Sequence, residues 1–191
     1  MTSEIFWLSS LSNLVATLVG IIVGLPAALW LDRVFRRRSE KAATLESKRR
    51  ARKILTILEG ELYDNTVMMN HFYEDIANSY YPVRTESWDA LSDGGDLRWI
   101  EDEETIYHLS IAYARTRQFS FLYEKYVTAF YFPNTMGIPG LKQSLLQSVI
   151  KARDNAVTWV TISRNYINKQ RELLSKDLGE PDEPNVRAAT S

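Results

Sequence analysis

The sequence predicts an all-α protein with one N-terminal transmembrane helix, followed by a cytosolic three- to four-helix bundle of long antiparallel helices. Two observations favour this fold class: residues 5–31 carry no charge, and apolar residues recur every three or four positions through most of the remaining chain. A third observation is that no segment shows strand-like alternation between turn signals. The 191 residues include no cysteine, which is consistent with a reducing compartment.

The uncharged run is long enough to cross a membrane. Its 27 residues would form a helix about 40 Å long, which exceeds the roughly 30 Å thickness of the hydrocarbon core. Trp7 and Trp30 stand near its two ends, where tryptophan side chains act as interfacial anchors. Residues 1–4 contain no Lys or Arg, so a cleaved signal peptide is not expected. Residues 1–31 are therefore predicted to be a short tail and a retained anchor.

Positive charge directly after the run predicts its orientation. The first basic residues are Arg33, Arg36, Arg37 and Arg38. Because basic flanks remain on the cytoplasmic side, the N-terminus is expected outside and the chain after the span inside. The same four arginines are expected to contact lipid headgroups, where each charge adds about 1 kcal/mol if the lipid is anionic.

Small residues form one stripe along the predicted span. Ala16, Gly20, Gly24 and Ala28 are four positions apart, so they share a helix face at which a second backbone can approach closely. The stripe predicts self-association of the span. The alternative is that glycine is simply common in membrane helices.

Charge divides the remaining chain into a basic and an acidic segment. Residues 32–53, predicted as a juxtamembrane helical stalk, hold ten Lys or Arg and three Asp or Glu. Residues 54–191 hold thirteen Lys or Arg and twenty Asp or Glu, so the two segments carry net charges of +7 and −7.

The stalk ends in a second group of basic residues, the basic cluster, made up of Lys48, Arg49, Arg50, Arg52 and Lys53. On an upright helix the cluster begins roughly 25 Å beyond Leu31, which is more than two Debye lengths of about 8–10 Å, so lipid does not explain it. A solvated helix face is the favoured interpretation. The alternatives are an acidic surface of a neighbouring subunit, a cytosolic protein partner, or nucleic acid.

The bundle is predicted to occupy residues 54–178. The expected helices cover residues 39–80, a short segment from Thr85 as N-cap to Gly94 and Gly95, and residues 102–132 and 141–178. The tail over 179–191 is expected to be disordered. The segment FSFLYEKYVTAFYF, which begins at Phe119, is apolar or aromatic on nearly every face. Core packing is its favoured explanation, and contact with another chain or with the membrane surface is the alternative.

Asn65 falls on the apolar seam of the first bundle helix. A buried amide at such a position fixes register or oligomeric state in coiled coils. Equally, it can cap a loop or bind a backbone carbonyl within one bundle. The sequence does not distinguish these roles.

No catalytic, metal or cofactor site emerges from the sequence. The chain has no cysteine nucleophile and no glycine-rich phosphate loop, and its histidines are His71 and His108. Glu104 and His108 share a helix face, which a surface ion pair explains better than catalysis. Four consecutive acids at 101–104 are explained by the positive end of a helix dipole rather than by a metal ion.

Three stretches give the chain a resemblance to a known group of proteins: GIIVGLPAALWLDR, EGELYDNTVMM and TESWDALSDGG. Together with the basic helix between the first two, they resemble uncharacterised bacterial single-pass membrane proteins with a cytosolic helical domain. The resemblance covers most of the chain and implies an inner-membrane location, without any activity. Small membrane effectors of phage defence share this architecture of a short anchor and a helical domain.

The sequence therefore favours a non-enzymatic function. The leading hypothesis is a self-associating, membrane-anchored interaction or scaffold module that presents a cytosolic bundle at the inner membrane to a cytosolic protein partner. The alternative is an oligomeric, pore-forming or membrane-perturbing effector triggered through the cytosolic domain. Polar residues of the run lie in its outer half, so no water-lined path is evident. Membrane lipid and a second copy of the chain are the expected partners, and nucleic acid is the least favoured.

Overall fold

A computed structural model describes residues 2–72, 83–131 and 140–180, with side chains described from Leu14 onwards except those of Ala16, Phe130 and Tyr131. Within these residues all regular structure is helical, which confirms the all-α prediction. The elements are α1 (Thr2–His71), α2 (Glu86–Asp93), a 3-10 helix (Asp96–Trp99), α3 (Glu103–Tyr131) and α4 (Leu141–Leu178). The chain divides into two compact units, Met1–Glu46 and Ser47–Ser191.

Helix α1 begins earlier and ends earlier than the sequence predicts for the first bundle helix. It is one helix through the apolar run and the basic stalk, because neither Gly nor Pro interrupts the chain between Pro26 and Gly60. Its end lies at His71 rather than near Tyr80, and residues 73–82 lie outside the described part. At this end Arg153 of α4 donates a hydrogen bond to the Met69 carbonyl oxygen over 3.0 Å, so a terminal carbonyl of α1 is satisfied from a neighbouring helix.

The second unit is organised around contacts between α1, α3 and α4. Glu59 of α1 pairs with Arg164 of α4, whereas Met69 contacts Arg153, so these two helices run antiparallel. Ser163 of α4 donates a hydrogen bond to the His108 carbonyl oxygen of α3, and the two helices share the core. The completely buried apolar side chains among the described residues are Leu58, Leu62, Met69, Leu109, Ala112, Val149, Ala156, Val160 and Ile167.

The aromatic segment of α3 lies mainly in this core. Phe119, Tyr123 and Tyr126 are buried, and Phe72 meets the Phe119 and Tyr123 rings edge to face at centroid distances of 5.8 and 5.2 Å. Phe121 is exposed, and the Lys125 ammonium lies 4.6 Å from its ring centroid. Core packing therefore explains the buried aromatic residues of the segment but not Phe121.

The short helix α2 is not capped as the sequence predicts. Thr85 occupies the N-cap position, but its hydroxyl group donates to the Asp89 carboxylate and makes no cap hydrogen bond. Instead, Glu61 of α1 accepts the Ser87 backbone N–H over 2.8 Å. The predicted N-cap position of Thr85 is confirmed, but its side chain does not cap α2 because a carboxylate from a distant helix satisfies this orphan donor.

The starts and ends of α3 and α4 follow local signals. Asp102 accepts a 2.9 Å hydrogen bond from the Thr105 backbone N–H, so one of the four consecutive acids caps α3. Gly179, at φ +66°, ends α4, and the N–H groups of Gly179 and Glu180 donate to the carbonyls of Lys176 and Ser175. This is a Schellman motif. Of the predicted tail, residues 181–191 lie outside the described part.

Candidate functional site

The apolar segment of α1 exposes its side chains on every face. All described side chains from Leu14 to Leu31 are exposed, for example Leu25 at 58% and Trp30 at 65%. Contiguous apolar surface of this extent marks a membrane or protein contact. Among the described helices, α1 is the one that is long and apolar enough to cross a membrane, with a mean hydropathy of 1.8 in its most apolar window.

The small-residue stripe lies open along this segment. A Cβ atom built on Gly20 or Gly24 would meet nothing within 4 Å, and Ala28 is exposed. The side chain of Ala16, the first residue of the stripe, lies outside those described, as does that of the predicted interfacial anchor Trp7. The other three positions of the stripe, Gly20, Gly24 and Ala28, are open to a second helix.

The arginines after the apolar segment are exposed and sparsely paired. Arg33, Arg36 and Arg37 line a shallow groove that also contains Trp30, and Arg38 is exposed nearby. Arg36 Nε lies 3.0 Å from an Asp32 carboxylate oxygen. Because an exposed pair of this kind contributes at most about 1 kcal/mol, it does not prevent Arg36 from binding a phosphate group.

The basic cluster is bound by the C-terminal end of α4. Lys48 Nζ lies 2.6 Å from an Asp177 carboxylate oxygen, and Arg52 Nη1 lies 2.7 Å from Glu180. Arg49 Nε contacts the other Glu180 oxygen at 3.3 Å. A solvated helix face is therefore an incomplete explanation, because the acidic surface that meets these cations belongs to the same chain.

The other two members of the basic cluster have different surroundings. The Arg50 guanidinium lies 5.1 Å from the Trp99 ring centroid, a cation–π geometry, whereas Lys53 is exposed. Three residues of the basic cluster thus face the end of α4, the fourth, Arg50, lies on an aromatic ring, and the fifth, Lys53, faces solvent.

Asn65 binds the loop that precedes α2. Its Nδ2 donates to the Arg84 carbonyl oxygen over 2.7 Å, and its Oδ1 accepts the Arg84 N–H over 2.8 Å. One helical turn earlier, Glu61 receives the Ser87 N–H. Of the roles that the sequence left open for Asn65, the loop-capping one is confirmed.

A buried aromatic pair continues this contact into the core. Trp88 of α2 stacks on Tyr113 of α3 at a centroid distance of 4.8 Å. Burial raises the pKa of the Tyr113 hydroxyl, and the negative charge of Glu61 raises it further. Tyr113 therefore remains a neutral phenol at any physiological pH, which fits a structural role.

Replacing Asn65 by leucine is expected to lower the free energy of unfolding by about 2 kcal/mol, because two hydrogen bonds to Arg84 are lost while the apolar seam is kept. Urea-induced unfolding of the full chain in mild detergent measures the change. Asn168→Leu, at an exposed position of α4, is the control and is expected to remain within about 0.5 kcal/mol. A change in oligomer mass caused by Asn65→Leu would instead support a register role.

Glu104 and His108 form only a weak pair. Their closest atoms are 4.0 Å apart, and Glu104 accepts a 2.8 Å hydrogen bond from the Tyr166 hydroxyl. This hydrogen bond raises the pKa of Tyr166. The imidazole of His108 stacks on Tyr166 at 4.1 Å, so the predicted surface ion pair is largely replaced by contacts with α4. The periodicity of α3 alone did not reveal these contacts.

Polar contacts that cross the core were not predictable from the sequence. Glu59, only 2% exposed, receives two hydrogen bonds from Arg164, whose guanidinium also lies 5.0 Å from the Tyr63 ring centroid. An acid at a seam position was the available signal, but its partner lies 105 residues away. In the part of the chain that is described, no three His, Cys, Asp or Glu side chains are grouped closely enough to hold a metal ion.

These features define an all-helical protein with one exposed apolar N-terminal segment and a packed helical unit. Comparison with models of protein families, with curated proteins and with solved structures gives no match for this chain.

Proposed function

We propose that the chain is a single-pass membrane protein whose helical unit acts as a non-enzymatic interaction module at the inner membrane. The observation that carries this proposal is the exposed apolar surface of residues 14–31, followed at once by exposed arginines. In water this surface would be uncovered, whereas lipid covers every face of a helix equally. The arginines support an orientation with the N-terminus outside and the helical unit in the cytoplasm.

The proposed module self-associates through its span. The open stripe at Gly20, Gly24 and Ala28 supports close helix contact, since a second backbone can reach these positions unhindered. The competing function is a membrane-perturbing effector that uses the same contact. Expression of the chain in cells, with membrane potential as the readout, separates the two functions.

The orientation predicts which end of the chain is protected in spheroplasts, from which the outer membrane barrier has been removed. A C-terminal tag is expected to survive protease added to spheroplasts, and an N-terminal tag is expected to be removed, because the arginines do not cross. Digestion after lysis of the spheroplasts provides the control. Removal of the C-terminal tag from unlysed spheroplasts would contradict the proposed orientation.

The Gly20→Leu, Gly24→Leu double variant tests self-association. It is expected to reduce the mass of the gently solubilised protein, because two large side chains keep the backbones apart. Ile21→Leu with Leu25→Ile changes the same segment conservatively and is expected to leave the mass unchanged. Loss of membrane potential on expression, abolished by the glycine variant, would instead favour the effector. Identification of co-purifying proteins would show what the module binds.

A further inference from the structure

The basic cluster is matched to carboxylates by its own chain. Three of its cations, Lys48, Arg49 and Arg52, lie within about one helical turn and meet Asp177 and Glu180, which are three positions apart. The two segments are 128 to 131 residues apart in sequence, so their contact is a property of the fold. This end of α4 therefore shows what chemistry the surface accepts: paired carboxylates at a helix end.

The position of these acids is unfavourable for α4 by itself. Asp177 lies in the last turn and Glu180 just beyond the Gly179 cap, where the negative end of the helix dipole repels anions. The cations of α1 offset that repulsion. The pairing consequently stabilises an acidic helix end that would otherwise be strained electrostatically.

The contact borders a cavity of the described bundle. Among the described residues, the 3-10 helix Asp96–Trp99 and residues 100–102, which lead to the start of α3 at Glu103, line this end of the unit together with α1 and α4. A cavity of about 290 Å³ remains there, lined by Ala51, Leu55, Trp99 and Leu174 among others, and bordered by Lys48 and Asp177. This end of the unit combines the ion pairs with buried apolar side chains such as Ala51, Leu55 and Ile100.

The ion pairs themselves are partly accessible. Arg49 is 61% exposed and the Asp177 side chain is 54% exposed, whereas the Lys48 and Arg52 side chains are 29% and 17% exposed. Ion pairs that water and salt reach are weak individually, and a competing anion can displace them. Displacement of the α4 end breaks these pairs and also uncovers the buried Ser175 and Leu174, which packs against the core.

We propose that Lys48, Arg49 and Arg52 form a docking surface for an acidic protein segment, which the end of α4 occupies as an internal substitute until a partner displaces it. The proposal rests on the proposed role of an interaction module and names the chemistry of its partner. The partner presents carboxylates three positions apart, as Asp177 and Glu180 do. The apparent affinity of an occupied surface for the partner is its intrinsic affinity multiplied by the fraction of time that the surface is free.

The test uses the full chain in detergent and a labelled peptide that copies residues 172–180. The Asp177→Asn, Glu180→Gln variant is expected to bind the peptide about tenfold more tightly than the original chain, because its own acids no longer compete. Asp93→Asn with Glu124→Gln removes two exposed carboxylates outside residues 172–180 and is the matched control, with unchanged affinity expected. A peptide carrying the same Asn and Gln replacements is expected not to bind.

Two results would overturn the proposal. Equal peptide affinity of the original chain and the variant would show that α4 does not occupy the surface. Tighter binding of a short single-stranded DNA than of the peptide would assign the surface to nucleic acid. Addition of Lys48→Gln, Arg49→Gln and Arg52→Gln to the variant is expected to abolish peptide binding.

A second measurement does not depend on the variants. Excess peptide added to the original chain is expected to accelerate amide hydrogen exchange in residues 172–180, since this helix end is displaced. Unchanged exchange would also overturn the proposal. Both measurements use solubilised protein, so a negative result leaves the proposed membrane anchoring untouched.

Discussion

Replacement of Leu18 and Ile22 by arginine is expected to abolish membrane integration of the protein. Residues 14–31 contain ten Leu, Ile or Val, and each contributes about −0.3 to −0.6 kcal/mol to insertion, about −3 to −6 kcal/mol together. Two arginines near the centre of the span cost about 5 to 7 kcal/mol, which cancels that gain. Both positions lie on the helix face opposite Gly20 and Gly24, so the stripe is left intact.

The measurement is the share of protein that remains in alkali-washed membranes. Leu45→Arg with Ile57→Arg is the matched control, because it makes the same chemical change at two exposed apolar positions outside residues 5–31. The control is expected to remain in the membrane fraction. Retention of the Leu18→Arg, Ile22→Arg variant at the original level would contradict the lipid environment proposed for α1.

Replacement of Arg164 by methionine is expected to lower the free energy of unfolding by about 3 kcal/mol. The change removes both hydrogen bonds that Arg164 donates to Glu59, and that carboxylate is nearly inaccessible to water. Loss of one partner of a buried ion pair is costly because a desolvated charge stays behind. Methionine preserves an unbranched apolar stem against the Tyr63 ring, so the loss reflects charge more than packing.

The double variant Glu59→Leu, Arg164→Met separates these effects. It is expected to recover most of the lost stability, since replacing a buried ion pair by apolar side chains is often neutral. Arg115→Met, which removes an exposed guanidinium from α3, is the control and is expected to change stability by less than about 0.5 kcal/mol. Urea-induced unfolding of the full chain measures all three. A double variant as unstable as Arg164→Met would show that the ion pair itself is needed.

Helix boundaries were predictable where a local signal sets them. Helix α4 occupies Leu141–Leu178, the predicted residues, because Gly140 and Gly179 adopt left-handed backbone conformations on either side of it. Helix α3 begins one residue after Asp102, its cap. The N-cap position of α2 was predicted at Thr85, but the acceptor of the capping hydrogen bond was not predicted because Glu61 lies in another helix. The core seam was also predictable, since Leu55, Leu58 and Leu62 follow helical spacing and are buried.

The candidate surfaces were also predictable only in part. The sequence showed which residues compose them: the uncharged run, the arginines that follow it, and the basic cluster. The sequence did not show which residues of the chain contact the basic cluster. Lys48 faces Asp177 across 129 residues, and Asn65 faces Arg84 across 19, distances over which the period of a helix carries no information.

The sequence by itself determined the helices, the exposed apolar segment and the order of charge along the chain, because hydrophobic period, caps and charge act over a few residues. Only the tertiary structure decided which polar groups meet. The physical reason is that helix-to-helix register is set by the packing of whole side-chain surfaces. The roles of Asn65, Glu59 and the basic cluster are consequences of that register.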